Sequence, residues 1–305
     1  MRSERRLAAY LALSVGIVAI SWSAIFVRWS RMPGVSSAFY RMIIAVPVLW
    51  AVLPLQRAGR RRLSMRTIWI AFAGGVFFAS DVGFWNVAVM HTSAGNATFL
   101  SNVSPLFVGL FTWMLTRKLP SGRFWAALLV STVGSCLIVT ADLRHAFSRS
   151  SADGLAVVAA VCFALYLVIT GQLRAKVDAG MLLALSTTAS AVTLFICAAA
   201  GHFSLVVPGF GPLWALLGLG LVCQVGGYFG LTYALGHLPA TVTSILWLTI
   251  APATAGFAWM IFGERMSPME IAGGALVLTG VWIVGRREKA DVPRVEELIP
   301  PVAQV

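Results

Sequence analysis

Charge is what this chain has least of. Only 11% of its 305 residues are charged, about half the share or less that solvates a soluble domain, and this excludes a globular protein kept in water by a polar surface. Acidic residues are scarcest, 11 against 23 Lys and Arg, for a net charge of +12. The basic residues fall in short connections between apolar runs, so the charge does not predict a nucleic-acid partner. Cysteine is rarer still, at 4 residues. Cys136, Cys162, Cys197 and Cys223 all lie inside apolar runs, with no CxxC and no His at metal spacing. They are expected to be small packing residues rather than disulfides or metal ligands. No P-loop or dinucleotide glycine pattern is present, so neither a phosphate cradle nor a cofactor is expected. The four histidines, His91, His145, His202 and His237, fall near predicted helix ends. They supply no nucleophile–base pair or metal set, which argues against an enzyme. Lys118, Lys176 and Lys289 also lie at helix ends, which leaves no buried amine for a Schiff base.

What is abundant is hydrocarbon. Hydrophobic residues make up 59% of the chain and mean hydropathy is +0.85, which predicts an all-α integral membrane protein. After the basic head Met1–Arg6, a first span runs to about Val27; it is too long for a signal peptide's apolar core. Further spans are expected at 36–55, 67–89, 94–116, 122–140, 153–171, 179–200, 211–234, 239–262 and 269–285, ten in all. Each is long enough to cross ~30 Å of hydrocarbon. With the N-terminus inside, inner connections hold 17 Lys and Arg and outer ones 5. The excess predicts a multi-pass protein of the cell (inner) membrane with both termini cytoplasmic. Trp29 and Trp69 fall near span ends and suit the interfacial belt.

The run Asp81–Met114 returns later in the chain. A shift of 146 positions places His91 on His237, Ala88 on Ala234, Thr98 on Ser244, Phe111 on Phe257, Trp113 on Trp259 and Met114 on Met260, and it continues to Gly134 on Gly280. The run itself reads as two spans joined by a tight turn at His91-Thr92-Ser93. Each copy holds five spans, an odd number, so the second enters the membrane from the opposite face. The predicted architecture is two inverted five-helix repeats, 1–141 and 152–287, with the connection Asp142–Asp153 between them. The Pro-rich tail 288–305 cannot bury a core and is expected to be disordered. Gly74-Gly75, Gly218, Gly220, Gly226-Gly227 and Gly273-Gly274 would let spans approach closely.

The mid-span prolines Pro105 and Pro252, the Gly263-Glu264-Arg265 triplet, and Gly134 or Gly280 together resemble the EamA-type repeat of the drug/metabolite transporter superfamily. Trp22-Ser23, Phe39-Tyr40-Arg41 and Tyr233-Ala234-Leu235 fit the same pattern. The resemblance covers about residues 8–285 and departs at Arg117-Lys118, where a Glu-Arg pair is usual. It implies alternating access, with a cavity lined mainly by spans 1, 3, 4, 6, 8 and 9.

Candidate site residues follow from cost and spacing. Asp81 is the acidic residue placed deep in an apolar span, and Arg41 lies in span 2 at a similar depth in the outer half of the membrane. A charge there costs a few kcal/mol and persists when paired, hydrated or useful. An Arg41–Asp81 pair is therefore expected, either as a structural lock or with Asp81 facing the cavity as a proton or amine site. Helical spacing adds Trp85 beside Asp81. Thr98 and Asn102 come from span 4, where Pro105 frees the carbonyl near Ser101. Phe163 and Tyr166 come from span 6, Gln224 and Tyr228 from span 8, Trp22 from span 1, and Ser244 and Trp247 from span 9. These would form an aromatic cavity with a few amides and hydroxyls, suited to a small amphipathic molecule. His91 and His237 are expected to cap turns.

The expected function is a secondary transporter exporting small metabolites, amino acids or related amphipathic compounds, across the cytoplasmic membrane as a monomer or homodimer. The alternative is efflux of cationic drugs with Asp81 as counter-charge. With Arg41 the one cation available in the spans, phosphorylated cargo is disfavoured.

Overall fold

The computed structural model describes residues 2–55, 63–91, 100–140, 151–262 and 267–285, and among these every regular element is helical. Thr92-Ser93, Thr98, most of the Asp142–Asp153 connection, the Gly263-Glu264-Arg265 triplet and the 288–305 tail lie outside the described residues. The first half comprises α1 (Arg2–Ser21), α2 (Ser23–Ser30), α3 (Gly34–Val52), α4 (Met65–His91), α5 (Ser104–Thr116) and α6 (Gly122–Thr140). The second comprises α7 (Ser151–Leu173), α8 (Ala179–Ala200), α9 (Phe210–Leu217), a π-helical segment (Gly218–Gly227), α10 (Tyr228–Leu235), α11 (Ala240–Trp247), α12 (Ile250–Phe262) and α13 (Pro268–Gly285). Among the described residues eight helical stretches are long and apolar enough to cross a membrane, and Ser104–Thr116 and Gly122–Ile138 are shorter apolar helices.

Helix is what this composition dictates, because hydrocarbon offers the backbone no partners and each span must satisfy its own amides. Hydroxyls obey the same constraint by bonding back onto their own helix. Ser80 donates to the Val76 carbonyl at 2.9 Å, Thr188 to Ala184 at 2.7 Å and Thr193 to Ala189 at 2.9 Å. Trp29 and Trp69, the expected belt residues, are well exposed. The four cysteines are free, and Cys223 donates to the Ala19 carbonyl. At the end of α10 the His237 ring sits with Nδ1 3.0 Å from the Tyr233 carbonyl.

The spans are interrupted where the sequence removes or diverts a backbone bond. Pro105 lacks an N–H and cannot continue the turn from Ser101, so α5 begins afresh at Ser104 with the proline in its first turn. In the second half α11 closes with tight bonds from Leu248 N to Ile245 O and Thr249 N to Leu246 O, both 3.1 Å, before α12 starts ahead of Pro252. The first span is irregular at Trp22. There the Ser21 hydroxyl bonds the Ile17 carbonyl at 2.7 Å and the Ser21 carbonyl accepts from Thr254 Oγ1 at 3.1 Å.

Packing between the halves is reciprocal. α4 lies against α7 and α8; correspondingly, the π segment and α10 lie against α1, and the π segment lies against α3. α3 meets α8, and α6 meets α13 in the most extensive contact of the molecule. Glycines permit the closest approaches. A Cβ on Gly75 would sit 2.3 Å from the Ser186 carbonyl oxygen, and one on Gly220 would sit 2.6 Å from the Ile44 side chain and 3.4 Å from the Arg41 carbonyl oxygen. Likewise a Cβ on Gly134 would meet the Gly273 carbonyl at 2.5 Å, and one on Gly280 the Ala127 carbonyl at 2.7 Å. Each pair of contacts maps onto itself when the halves are exchanged.

Candidate functional site

The helix interruptions surround a cavity of about 410 Å³. One wall is the irregular stretch of the first span, with Ser23, Ala24 and Val27, and another is the opening of α3, with Ser37 and Arg41. α4 contributes Asp81, Val82, Trp85 and Asn86. Ser101, Asn102 and Ser104 enter at the start of α5, where Pro105 interrupts the helix, and Trp247, Leu248 and Ile250 enter at the break between α11 and α12. Phe163 of α7 and Tyr228 of α10 complete the aromatic lining.

Arg41 is 7% exposed, so a full positive charge stands against the cavity with little water around it. Its Nε donates to Gln224 Oε1 at 3.0 Å, its Nη1 to Ser23 Oγ at 3.3 Å, and its carbon Cζ lies 5.1 Å from the centre of the Tyr228 ring. The remaining nitrogen, Nη2, is buried and has no hydrogen-bond partner among the described residues. Such an orphaned donor on a cation costs the desolvation of the group unless something completes it.

Among the described residues the guanidinium is engaged by Gln224, Ser23 and the face of Tyr228, and no direct contact with Asp81, its expected partner, is seen. Both charges instead line the same cavity. Behind Asp81 on α4, Asn86 donates to the Gly34 carbonyl at 2.9 Å and fixes the start of α3 against α4. The aromatic floor is layered. Trp247 packs edge-on to Tyr228 with centroids 5.6 Å apart and lies 6.2 Å from Phe163, while Phe78 backs Tyr228 at 4.5 Å.

Of the residues proposed from sequence, Arg41, Asp81, Trp85, Asn102, Phe163, Tyr228 and Trp247 line the cavity together. Gln224, Tyr166, Trp22 and Ser244 do not. Gln224 is fully buried behind Arg41, with its Nε2 on Thr187 Oγ1 at 3.2 Å. Tyr166 lies one layer deeper, stacked on Phe78 at 4.7 Å. Trp22 turns its ring onto Phe257, 5.0 Å away, and leaves the cavity wall to its neighbour Ser23. Ser244 is buried and bonds the Thr241 carbonyl at 2.9 Å. Sequence reasoning passed over Asn86, five residues beyond Asp81 on the same helix, and Ser37 and Arg41 share a face of α3 by their four-residue spacing.

Comparison with known proteins gives a consistent set. The model of the EamA-like transporter family matches residues 7–140 and again 150–286. An uncharacterized transporter of Archaeoglobus fulgidus is 27% identical over 91% of this chain and 96% of its own length. A pseudopaline exporter of Pseudomonas aeruginosa is 28% identical over 85% and 89%. A probable terminal-alkyne amino-acid exporter of Streptantibioticus cattleyicolor is 26% identical over 82% and 84%. A crystal structure with 18% identity superposes with a TM-score of 0.77 over 93% of this chain and 99% of that one, and so shares the fold.

Proposed function

The chain belongs to the EamA-like transporter family, and from that premise we propose that it exports a small zwitterionic metabolite, an amino acid or a close relative, across the cytoplasmic membrane by alternating access. It is a multi-pass membrane transporter of small molecules; the cargo, direction and mechanism are the proposal. One observation carries it. A buried Arg41 with a free Nη2 and the carboxylate of Asp81 line one aromatic cavity of about 410 Å³. A carboxylate on Arg41 gains a charge-assisted hydrogen bond and completes the orphaned donor. An ammonium group is matched by Asp81, and an apolar side chain by Trp85, Phe163 and Trp247. Two relatives named as exporters, one of them a probable amino-acid exporter, agree with this cargo.

The transport cycle follows from ten spans in two inverted repeats with both termini in the cytoplasm. The reciprocal packing of α4 and of the π segment with α10 against the opposite half supports that arrangement, as do the two separate family matches. In this orientation Ser37, Arg41, Asp81, Asn86 and Ser101 belong to the outer parts of their spans and Tyr228 and Trp247 to the inner parts of theirs, so the cavity they line lies near the middle of the membrane. Exchanging the conformations of the two halves would open such a central site to each side in turn.

Counterflow in proteoliposomes tests the function. Vesicles loaded with unlabelled amino acid should accumulate the labelled compound transiently, and Arg41→Gln should abolish this. If instead organic cations lacking a carboxylate are exchanged and Arg41→Gln is indifferent, the cargo is a cation held by Asp81. Flux without trans-stimulation would identify a channel.

A further inference from the structure

Between its matched glycines Gly220 and Gly280 the later copy carries one residue more than the earlier, and the position of that residue is legible in the contacts: the shift relating Gly75 to Gly220 is one smaller than that relating Gly134 to Gly280. The reciprocal glycine contacts of the earlier spans, Gly75 on Ser186 and Gly220 on Arg41, exchange under a shift of 145 positions. Those of the last spans, Gly134 on Gly273 and Gly280 on Ala127, exchange under a shift of 146. The starts of α3 and α8, Gly34 and Ala179, follow the first shift; those of α6 and α13, Gly122 and Pro268, follow the second. The sequence matches Ala88 to Ala234 and His91 to His237 already follow the larger shift. The extra residue therefore enters between Gly220 and Ala234. The π-helical segment Gly218–Gly227 covers most of that interval. A π turn closes i→i+5 bonds and so encloses one residue more than an α turn, which absorbs an insertion without displacing the flanking helices.

The widened segment carries Gln224. The positions matching it in the first half are Phe78 or Ala79, depending on the shift, and both are apolar; the position matching Arg41 in the second half is Ser186. The Arg41–Gln224 pair thus has no counterpart across the molecule. Arg41 offers only donors, so the side-chain oxygen of Gln224 must face it, and the amide nitrogen is left to donate to Thr187. Thr187 lies on α8, so Gln224 ties the guanidinium to both faces of the packed core. With Nε held by Gln224 and Nη1 by Ser23, the nitrogen left over is Nη2.

We propose that Gln224, carried inward by a one-residue insertion, is a positioning residue that aims Arg41 to read the carboxylate of the cargo. This rests on the zwitterion reading above and adds the residue that sets carboxylate selectivity. Proteoliposomes carrying the wild type, Gln224→Met, Gln224→Glu and Thr187→Val are compared in counterflow of labelled L-phenylalanine, with competition by phenylalanine and by phenylalaninamide. In the wild type the amide should compete about tenfold or more weakly than the acid, the effect of one charge-assisted bond. Gln224→Met frees the guanidinium to swing, and Gln224→Glu fills its donors with a fixed carboxylate; in both the ratio should fall to within about threefold. Thr187→Val, which keeps Gln224 and loosens it, should shift the ratio the same way and carries the test if the Gln224 variants fail to fold. A merely structural role would lower the amount of folded protein and leave the ratio alone. Variants that fold and keep the wild-type ratio overturn the role of Gln224 only. A wild type that exchanges neither phenylalanine nor any other amino acid overturns the functional reading and this one with it.

Discussion

Arg41 and Asp81 behave differently once their surroundings are compared. The Arg41 side chain holds up Gln224, Ser23 and the face of Tyr228, so its removal strands buried polar groups. Arg41→Gln should therefore lower stability by roughly 1–3 kcal/mol. Asp81, half-buried in the cavity wall without an ion pair to Arg41, can become Asn at little structural cost. Thermal unfolding of both single variants and the double variant checks this. Independent sites give additive losses, whereas a locked pair would show the double variant recovering most of the loss. Transport should fail in Asp81→Asn even though folding survives. Arg41→Lys should also fold, yet lose at least about tenfold in apparent affinity for an amino acid, because an ammonium cannot serve Gln224, Ser23 and a carboxylate from one planar fork.

At the scale of the helices, close approach is the device that joins the two halves. Gly75→Ala would drive a methyl group into the Ser186 carbonyl, backbone that cannot move away, and Gly280→Ala would strike the Ala127 carbonyl and Ser131. Each should cost roughly 1–3 kcal/mol of stability. Gly256→Ala, with nothing within 4 Å among the described residues, should change it by less than about 0.5 kcal/mol. Unfolding midpoints in one detergent decide the matter; equal shifts for all three would mean that the glycines have no packing role.

That the chain is helical and built from membrane-length apolar runs was legible in the sequence, because such runs leave the backbone no option but helix. The prolines marked two of the interruptions, and spacing marked Trp85, Phe163, Tyr228 and Trp247 of the lining but also Trp22 and Tyr166, whose rings pack elsewhere. The irregularity at Trp22 was not legible, since it depends on a hydroxyl from Thr254, a residue far away in sequence. Nor was the depth of Gln224. Its four-residue spacing from Tyr228 put both beside the same site, and both do touch Arg41. Only the three-dimensional order of layers shows that Arg41 stands between Gln224 and the cavity. Ser244 matched Thr98 by repeat, but its hydroxyl turned back to the Thr241 carbonyl, as hydroxyls in apolar helices do.

On the scale of the whole molecule, two similar halves enclose an asymmetric site. Asn102 and Leu248 are 146 positions apart, lie just before α5 and between α11 and α12, and both line the cavity. If the cavity is the transport site, these positions must meet water and must be shielded when cargo is bound. Cysteine can be placed singly at 102 and 248 in a protein lacking Cys136, Cys162, Cys197 and Cys223, with Leu110→Cys as an exposed, apolar-face control. A small polar thiol reagent should label 102 and 248 from the aqueous phase, because only a hydrated thiol ionises and reacts, and the exported amino acid should slow both. Labelling at 110 should stay low throughout. The opposite result, with 102 and 248 as inert as 110 or labelled at a rate indifferent to any transported compound, would contradict the assignment of this cavity as the transport site.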